Sequence, residues 1–403
     1  MITIGEARDI VIHNLPMREA ETVNIHDVSG RVLAADVLSV EPSPRYTNSA
    51  MDGFAVRWED VEQANEVGGI TLEIVGESQA GIPFDETLAA GKAARISTGA
   101  MICKGADTVI PIEETEIDGS ALRVLKVNRR HQHLRFEGEE FGSGELLLPQ
   151  GKTLNASRIA VLASQGITAV PVYRKPEAAI ILTGTELVPY DQPLEPWQIR
   201  DSNGIMLQTA VKESGGVVNL TASVGDNYED TVAAVRKASE SANLIIFSGG
   251  VSVGPHDLVK KAARECGFET MFWRVKQRPG KPLFFAKKDD VLFFGLPGNP
   301  VSAYMCYLYY IHPLLQFLQG KPFAHKSVKG EIGEQIENKI NRAQLFRISL
   351  KEAEGHSHPL VYPLSKQGSH MLTSLSSAEG FILLEVGANL EKGKLIDVIL
   401  WNE

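Results

Sequence analysis

The chain has 403 residues, with 50 Asp and Glu side chains against 40 Lys and Arg, and a formal net charge of −10 at pH 7. That length exceeds what one hydrophobic core usually serves, so we expect two to four domains of roughly 100 to 200 residues each. The acidic balance argues against general binding to nucleic acids or anionic membranes, so any anionic ligand has to meet a local basic site.

The first 175 residues predict two interleaved domains. Residues 1–45 carry a helical opening and a short extended stretch, and residues 138–175 return to helix, with SRIAVLASQG ending on a glycine typical of a helix C-cap. Between them, residues 46–137 hold short alternating runs broken by glycine, which is typical of strands. We therefore predict that 1–45 and 138–175 form one discontinuous mixed α/β domain, with 46–137 as a β-rich domain inserted into it.

Residues 176–326 alternate short apolar runs with amphipathic segments of helix length, which is the rhythm of βαβ units. Such units predict a doubly wound, mostly parallel sheet with helices on both faces. The predicted strands are 178–183, 217–223, 244–248 and 291–295, and the predicted helices are about 204–214, 227–241, 256–266 and 301–318. From 327 to 403 strands and turns resume, which predicts a small C-terminal β-barrel.

No segment is predicted to cross a membrane. The N-terminus, MITIGEARDI, lacks a basic region followed by an apolar run, so we expect no secretory signal and a cytoplasmic location. The most apolar long stretch, 301–318, is interrupted by His312, Pro313 and Gln316, which favours a helix that is buried or faces another subunit.

The three cysteines, Cys103, Cys266 and Cys306, are far apart and include no CxxC pair. Widely spaced cysteines in odd number favour reduced thiols in a cytoplasmic protein. The simplest interpretation is that each is a small buried apolar side chain.

Glycine-rich turns follow two of the predicted parallel strands. SGGVSVGPHD (248–257) follows the third strand, and GLPGNPVS (295–302) follows the fourth. Turns without side chains let a phosphate approach backbone N–H groups, and a following helix N-terminus adds partial positive charge. Asn299 as N-cap and Pro300 at the first helical position predict a well-defined helix start. Because ligands of parallel sheets bind beyond the carboxyl ends of the strands, we predict an anion site there.

Three acids, Glu186, Asp226 and Asp257, follow strands at the same predicted edge. Carboxylates beside a phosphate site usually need a cation between them, and Mg²⁺ is the natural candidate. The alternative is structural, with Asp226 capping the helix that starts near Asn227 and Asp257 lying in a first helical turn.

The run RVKQRPGKP (274–282) concentrates Arg274, Lys276, Arg278 and Lys281 in an otherwise acidic chain. If a strand runs into Arg274 and RPGK is a turn, these cations can converge on an anion. The alternative is a solvated edge strand that is protected by its charges.

Residues 250–254 also satisfy G-x-S-x-G, the nucleophile turn of α/β-hydrolases, with Ser252 as the nucleophile. A hydrolase needs an acid and a histidine at later strand ends, but His312 lies within a predicted helix and the later histidines follow the sheet. The serine hydrolase therefore remains a minor alternative. No GxxxxGK[ST] motif and no GxGxxG after a strand is present.

Across nearly its whole length the sequence resembles the molybdopterin molybdenumtransferases, the MoeA family that includes the E domain of gephyrin. The resemblance rests on NSAMDGFAVR (48–57), STGAMICKGADTVIPIEE (97–114), LRFEGEEFGSGE (134–145), LTGTEL (182–187), DSNG (201–204), SGGVSVGPHD, RPGKP (278–282) and LPGNPVS (296–302). It implies an elongated homodimer of four-domain subunits, with a molybdopterin-binding α/β domain at the centre. The implied activity is insertion of molybdate into adenylyl-molybdopterin with release of AMP.

The resemblance also implies roles for individual residues. The pterin or its phosphates would be held by Gly249, Gly250, Ser252, Gly254, Pro297, Gly298, Asn299 and Ser302. The divalent metal and the attacking groups would be positioned by Glu186, Asp226 and Asp257. Molybdate would be steered, and charge in the transition state neutralised, by Arg274, Arg278 and Lys281. The oxyanion pocket would be completed by Ser369 and Ser374.

Further site residues would come from the partner subunit's strand-rich part, namely Asp52, Thr98, Arg135 and Glu140. From the residues alone, Asp52 would be a turn residue bonded to its own backbone, Thr98 an ordinary turn residue and Arg135 part of a surface pair. The chain departs from the family pattern at Thr185, Glu140 and Arg278. The first two weaken any metal-binding role at those positions, while Arg278 keeps the charge of the usual lysine with a different geometry.

The sequence thus predicts a cytoplasmic homodimeric transferase that uses Mg²⁺, with molybdate and adenylyl-molybdopterin as substrates and a molybdopterin adenylyltransferase as partner. A non-catalytic molybdopterin-binding or scaffold protein is the second interpretation. The pattern does not distinguish molybdate from tungstate, since both are tetrahedral dianions of nearly the same size.

Overall fold

The computed structural model describes residues 1–251 and 258–400. The chain forms two compact units. The first comprises Met1–Thr22, Arg31–Ala34 and Pro171–Glu403, and the second comprises Val23–Gly30 and Ala35–Val170. The finer division into four domains stays a prediction.

The part of the chain up to residue 173 is rich in short strands. Its helices are α1 (Ile4–His13), α2 (Ala64–Val67) and α3 (Ala156–Ser164). Its strands are β1 (Ala20–Asn24), β2 (Val37–Leu38), β3 (Asn48–Ser49), β4 (Gly53–Val56), β5 (Ile70–Ser78), β6 (Lys92–Ile96), β7 (Thr108–Pro111), β8 (Thr115–Asp118), β9 (Ala121–Val124), β10 (Leu134–Arg135), β11 (Leu146–Leu148) and β12 (Ala169–Tyr173). In the second unit, a sheet of order β7-β4-β6-β5-β9-β8 confirms the strand texture predicted there.

The following part alternates strands and helices. Its strands are β13 (Glu177–Thr183), β14 (Leu187–Val188), β15 (Ile199–Arg200), β16 (Val217–Val224), β17 (Leu244–Ser248), β18 (Glu269–Trp273), β19 (Gln277–Arg278), β20 (Phe284–Lys288) and β21 (Val291–Leu296). Its helices are α4 (Asn203–Glu213), α5 (Tyr228–Ser241), α6 (Leu258–Glu265), α7 (Pro300–Cys306), a π-helical segment (Tyr307–Ile311) and α8 (His312–Leu318).

These strands form a sheet of order β16-β13-β17-β21-β20-β18. The first four strands run parallel, whereas β20 is antiparallel to both of its neighbours, so β18 runs in the same direction as the first four. Ala178, Ile180 and Leu182 of β13 face a core shared with α1, α4, α7 and α8, and Ala179 and Ile181 face a second core shared with α5 and α6. Helices thus cover both faces, and the predicted doubly wound α/β fold is confirmed.

The last part of the chain contains β22 (Ser327–Ile332), β23 (Ile336–Glu337), β24 (Ala343–Lys351), β25 (Leu360–Pro363), α9 (Thr373–Ser376), β26 (Gly380–Leu384), β27 (Asn389–Leu390) and β28 (Leu395–Leu400). Its main sheet has the order β24-β25-β22-β28-β26, and β26 pairs again with β24. This second pairing closes the sheet into the predicted barrel. On its outer side β24 also pairs with β19, which carries Arg278.

The apolar stretch 301–318 is a core element, as predicted. Its tyrosines Tyr307 and Tyr310 are almost fully buried, and the Tyr310 hydroxyl donates a hydrogen bond of 2.6 Å to Gln277 Oε1. His312 Nδ1 lies 2.9 Å from the Ser214 hydroxyl oxygen, at the border of this core. The three cysteines are free and buried, which confirms the simplest interpretation of them.

Within the described ranges, we find no helix whose length and apolar character would let it span a membrane.

The centre of the parallel sheet predicts a large effect of core truncation. Ile246 in β17 is fully buried, so Ile246→Ala should lower the free energy of unfolding by about 2 to 5 kcal/mol through lost burial and a residual cavity. Val217→Ala, at an exposed position in the edge strand β16, should change it by less than about 0.5 kcal/mol. Urea unfolding followed by circular dichroism measures both, and equal losses would contradict this placement of the core.

Candidate functional site

A cavity of about 500 Å³ opens at the carboxyl edge of the parallel strands. Leu182, Ser248 and Leu296 are paired in register on β13, β17 and β21, so the segments that follow them start side by side. The lining includes seven residues predicted from the sequence, namely Glu186, Asp226, Gly249, Gly250, Pro297, Gly298 and Asn299. The predicted strand-end site is therefore one continuous space in the first unit.

The two glycine turns meet at the floor of this cavity. Gly249 and Gly250 have φ angles of +95° and +64°, a region that glycine adopts without strain. An ideal Cβ atom at Gly249 would lie 2.6 Å from the Thr183 carbonyl oxygen, so this position excludes any side chain. An ideal Cβ atom at Gly298 would lie 3.7 Å from the Gly249 Cα atom. The two turns thus present bare backbone to each other with room for about one added methyl group between them, and bare backbone is what a phosphate site requires.

Asn203, the first residue of α4, ties the two turns together. Its side chain is mostly buried, and Nδ2 donates hydrogen bonds of 3.0 Å to Ser248 Oγ and 2.8 Å to the Gly298 carbonyl oxygen. Its Oδ1 atom is buried and has no partner among the described residues. An unpaired buried acceptor at a cavity wall is costly unless a ligand donor reaches it. Asn203 had no predicted role, although its place in DSNG at a helix start was a signal for one.

Two of the three predicted acids, Glu186 and Asp226, line the cavity, and their roles stay predictions. Asp226 Oδ1 accepts a hydrogen bond of 3.3 Å from Thr183 Oγ1. The Glu186 carboxylate folds over Gly184, where an ideal Cβ atom would be 2.9 Å from Oε2. Asn227, not Asp226, caps α5, because its side chain accepts from the Asp230 N–H group. The capping alternative for Asp226 is therefore wrong, and its carboxylate is available to the cavity.

The lining is acidic in its described part. Glu186, Asp201 and Asp226 contribute carboxylates, against Arg200 as the sole described lysine or arginine of the wall. Ser252, Gly254 and Asp257, predicted for the same site, lie outside the described residues. In residues 1–251 and 258–400 no group of three or more His, Cys, Asp or Glu side chains is arranged to hold a metal ion. The predicted set with Asp257 accordingly stays a prediction.

Asn299 is the N-cap residue of α7 by position, as predicted, but its side chain makes no capping hydrogen bond. Instead Nδ2 donates a hydrogen bond of 3.2 Å to Ser369 Oγ. This bond brings the predicted Ser369 next to the second glycine turn. The Ser374 hydroxyl is buried and donates to the Met371 carbonyl oxygen at 2.6 Å, and Ser302 is buried in the first turn of α7. The roles predicted for these two serines stay predictions.

A buried arginine next to Ser369 was missed by sequence reasoning. Arg347 in β24 is fully buried, and Nη2 donates to the carbonyl oxygens of Lys366 at 2.9 Å and Gly368 at 3.4 Å. Its Nε and Nη1 atoms are buried without partners among the described residues. Burial, together with the positive charge of Arg278, lowers the pKa of Arg347 to about 10. The sequence does carry a sign of it: in AQLFR every second residue before the arginine is apolar, and Arg347 falls on the face that this pattern turns inward.

The remaining predicted cations are Arg274, Arg278 and Lys281, and we call Arg278 and the buried Arg347 the basic region. Arg274 follows β18 with a φ angle of +69°, and its guanidinium carbon lies 3.7 Å from the centroid of the Trp273 ring. β18 is two strands away from β21, and neighbouring strands lie about 5 Å apart. The backbone of Arg274 is therefore about 10 Å from the end of β21, measured along the edge of the sheet. The Lys281 carbonyl oxygen accepts from Val275 N–H, which closes the predicted turn. Arg278 lies on β19 and pairs with Gln344 of β24, three residues before Arg347 in the same strand.

The second unit holds the other predicted site residues. Asp52 Oδ1 accepts a hydrogen bond of 2.6 Å from the Thr98 N–H group, so the interpretation of Asp52 as bonded to its own turn is wrong. Hydrogen bonds from the Thr98 backbone and side chain lower the pKa of Asp52. Glu140 accepts from the Ser43 hydroxyl at 2.7 Å, and Arg135 is exposed on β10.

These features define the class of protein. The chain is an α/β protein with a candidate ligand site beyond the carboxyl ends of its parallel strands, formed by two glycine turns and flanked by acids.

Comparison with known proteins gives the family. Three family models match in succession, the MoeA N-terminal region (domain I and II) at residues 2–166, the probable molybdopterin binding domain at 179–316 and the MoeA C-terminal region (domain IV) at 329–401. A molybdopterin molybdenumtransferase of Nostoc sp. is 37% identical over 99% of this chain and 94% of its own. One from Haemophilus influenzae is 32% identical over 100% and 99%. The chain belongs to the MoeA family of molybdopterin molybdenumtransferases.

Solved structures agree with this assignment. A crystal structure of the molybdopterin biosynthesis MoeA protein from Pyrococcus horikoshii covers the whole of both chains, with a TM-score of 0.88 and 30% identity. A second MoeA structure from the same organism gives a TM-score of 0.79 and 26% identity, again over both whole chains.

The two turns are predicted to differ in how much stability they lose when one methyl group is added. Gly249→Ala should lower the free energy of unfolding by about 1 to 3 kcal/mol, because alanine is strained at this φ angle and its Cβ atom meets the Thr183 oxygen. Gly298→Ala should change it by less than about 1 kcal/mol, since the nearest atom is at an ordinary contact distance. Gly355→Ala, with a φ angle of +83° and open space, is the control for strain alone. Thermal unfolding compares them, and equal damage from all three substitutions would contradict the described packing.

Proposed function

We propose that this chain transfers molybdenum from molybdate to adenylyl-molybdopterin and releases AMP. The names of its relatives support a molybdenum transfer that involves molybdopterin. The observation that carries the proposal is the meeting of the two glycine turns, Gly249 against Gly298, in a cavity lined by carboxylates and joined through Asn299 and Ser369 to the basic region. The substrate carries a phosphoanhydride and a metal-binding dithiolene, and it reacts with an oxyanion. It therefore needs the glycine turns, the carboxylates and the basic region at one site.

The glycine turns bind the phosphates in this proposal. The amide groups of Gly249, Gly250 and Gly298 form charge-assisted hydrogen bonds to phosphate oxygens, with no side chain to keep the ligand away. Asn203 holds the turns at their mutual distance, and its unpaired Oδ1 accepts a donor of the substrate. These contacts fix the phosphoanhydride for attack by water: a new P–O bond forms between the water oxygen and the molybdopterin phosphorus, the P–O bond to AMP breaks, and AMP leaves.

Molybdate binds at the basic region. Arg347 offers two unpaired N–H groups from a rigid, buried guanidinium, and Arg278 adds a second positive charge beside it. The Ser369 hydroxyl can donate a hydrogen bond to a tetrahedral oxyanion. Arg274 and Lys281 add positive charge that attracts the anion from a greater distance. Bringing this dianion next to the phosphates requires such cations, because the described cavity wall is acidic.

The acids fit a divalent cation. Glu186 and Asp226 line the same cavity as the phosphate-binding amides, and Mg²⁺ is usually bound by one or two carboxylates together with substrate phosphates. Asp257 is the third proposed ligand. When bound, Mg²⁺ supplies charge neutralisation for the phosphoanhydride. The hydrogen bond from Thr183 orients the Asp226 carboxylate for this role.

A homodimer completes the proposed site. Asp52 and Thr98, which are hydrogen-bonded to each other, and the neighbouring Arg135 and Glu140 would reach the site of the other subunit. The substrate would come from a molybdopterin adenylyltransferase in the cytoplasm, where three buried free thiols stay reduced.

Release of AMP tests the reaction directly. The purified full-length chain, supplied with adenylyl-molybdopterin, Mg²⁺ and molybdate, should release AMP. Asp226→Asn should lower kcat by about 100-fold or more, because a charge at the reacting phosphates is lost. The control Asp230→Asn, four residues further on at an exposed position of α5, should keep wild-type turnover. Binding of adenylyl-molybdopterin without AMP release by the wild type would instead favour the scaffold interpretation.

Arg347 tests the molybdate site. Arg347→Met should raise the KM for molybdate about tenfold or more, because an ionic hydrogen bond is lost. The fold should survive, since an apolar side chain of similar volume replaces a buried cation. Lys351→Met, an exposed change in the same strand, is the control. Initial rates against molybdate concentration give both constants, and an unchanged KM in Arg347→Met would place molybdate elsewhere.

A further inference from the structure

The turn that carries Arg278 and Lys281 has a buried backbone, although both of these side chains are exposed. Its central residues, Pro279 and Gly280, are buried. Gly280 has a φ angle of +88°, and an ideal Cβ atom there would overlap the Cys306 Sγ atom of α7. The backbone of this turn is therefore in direct contact with the helix that follows the second glycine turn, and its two cations face away from that contact.

Gln277 in β19 joins the turn to this helix by hydrogen bonds, and its side chain is fully buried. Its Nε2 atom lies 3.2 Å from the Pro279 carbonyl oxygen, 3.3 Å from the Gly280 carbonyl oxygen and 3.4 Å from Cys306 Sγ. Its Oε1 atom accepts the hydrogen bond from the Tyr310 hydroxyl. Both ends of the amide are therefore paired, and the buried carbonyl groups of the turn have their donor in the residue before it.

The network beneath the turn is neutral. Tyr310 belongs to the π-helical segment Tyr307–Ile311, and such segments are uncommon and frequently occur at functional sites. Burial raises the pKa of the Tyr310 hydroxyl well above its usual value. Burial also raises the pKa of the Cys306 thiol to about 12. Both groups stay protonated at neutral pH, so Tyr310 remains a donor to Gln277.

Arg278 is the next residue along β19, and strand alternation places its side chain on the opposite side from that of Gln277. The backbone of Arg278 pairs with Gln344 of β24, and its positive charge contributes to the lowered pKa of Arg347. One peptide unit separates Gln277 from Arg278, so a shift of the first moves the second. The hydrogen bonds of Gln277 therefore fix the position of one of the two cations in the basic region.

We propose that Gln277 is a positioning residue for the molybdate site and that Tyr310 holds it in place. Gln277 does not touch the anion, but it directs the Arg278 guanidinium towards the anion that Arg347 binds. A charged donor has to stay within about 0.5 Å of its productive position to keep its hydrogen bond to a ligand. This assignment rests on the proposed function and deepens it, because it names residues that set the affinity for molybdate.

Tyr310→Phe tests the proposal, since it keeps the ring and leaves the Gln277 Oε1 atom buried without its donor. In the full-length chain the KM for molybdate should rise about fivefold, which corresponds to one hydrogen bond. The kcat at saturating molybdate should change by less than about twofold, because only binding is affected. Calorimetric titration with molybdate alone should show the same rise in Kd without any turnover.

Two further variants control for the fold. Tyr309→Phe removes a hydroxyl from the same buried π-helical segment, where its ring stacks on His325, and should leave KM and Kd unchanged. Gln277→Met keeps the approximate volume but removes the amide, and it should raise both constants at least as much as Tyr310→Phe. Thermal unfolding shows which variants fold, so either Tyr310→Phe or Gln277→Met suffices for the test.

A double-mutant cycle separates positioning from a general loss of stability. In the background of Arg278→Ala, Tyr310→Phe should change the KM for molybdate by less than about twofold, because the cation that it positions is gone. A purely structural effect would instead multiply KM by the same factor in both backgrounds. Such additivity would overturn the proposal.

The remaining outcomes distinguish this proposal from the reaction itself. If the wild type releases AMP but Tyr310→Phe and Gln277→Met leave KM and Kd unchanged, the positioning proposal fails and the reaction stands. A lowered kcat with an unchanged KM would also overturn it. If the wild type binds molybdate but releases no AMP, the proposed function fails, and the Kd values still decide the role of Gln277. If it neither binds molybdate nor releases AMP, both proposals fail.

Discussion

The contact between the two glycine turns is the constraint on which the site depends. An ideal Cβ atom at Gly298 would lie 3.7 Å from the Gly249 Cα atom, and Asn203 bonds both turns. A side chain at Gly249 is excluded by the Thr183 carbonyl oxygen of the neighbouring strand. This approach is a product of strand register, because β17 and β21 are adjacent and parallel and end on paired residues. Hydrophobic cores on both sheet faces hold that register. Packing far from the ligand therefore determines how closely the two rows of amide groups stand.

Charge is distributed unevenly around this contact. The described cavity wall carries three carboxylates and one arginine. Arg278 and Arg347 lie on the paired strands β19 and β24, and Arg347 bonds the Gly368 carbonyl oxygen, next to Ser369. Carboxylates beside a phosphate site bind a metal cation that neutralises the phosphates, whereas arginines beside an oxyanion neutralise it directly. Both kinds of neutralisation are needed if two anions react with each other. The hydrogen bond between Asn299 and Ser369 is the direct link between these environments.

The sequence predicted the elements of the sheet and the residue types at its edge, because strand periodicity and glycine spacing are local signals. It did not identify β20, since PLFFAKKDDVLFFG reads as one apolar run with a charged interruption, and only tertiary pairing separates the two arms of the hairpin. Asn203 and Arg347 were missed as well, because their importance lies in partners that are distant in sequence. Asn299 was predicted as the N-cap residue of its helix, and only the folded chain reveals that its side chain bonds Ser369 instead.

Helix α4 contributes to two spaces at once. Asn203 at its start touches both glycine turns, while Ile205 and Gln208 line a second concavity of about 230 Å³. A helix advances 1.5 Å and turns 100° with each residue, so the offset between these side chains is set by backbone geometry alone. One residue inserted after Gly204 would rotate the face that carries Ile205 and Gln208 by about a quarter turn and leave the glycine turns untouched. The length of this segment is therefore as restricted as its composition.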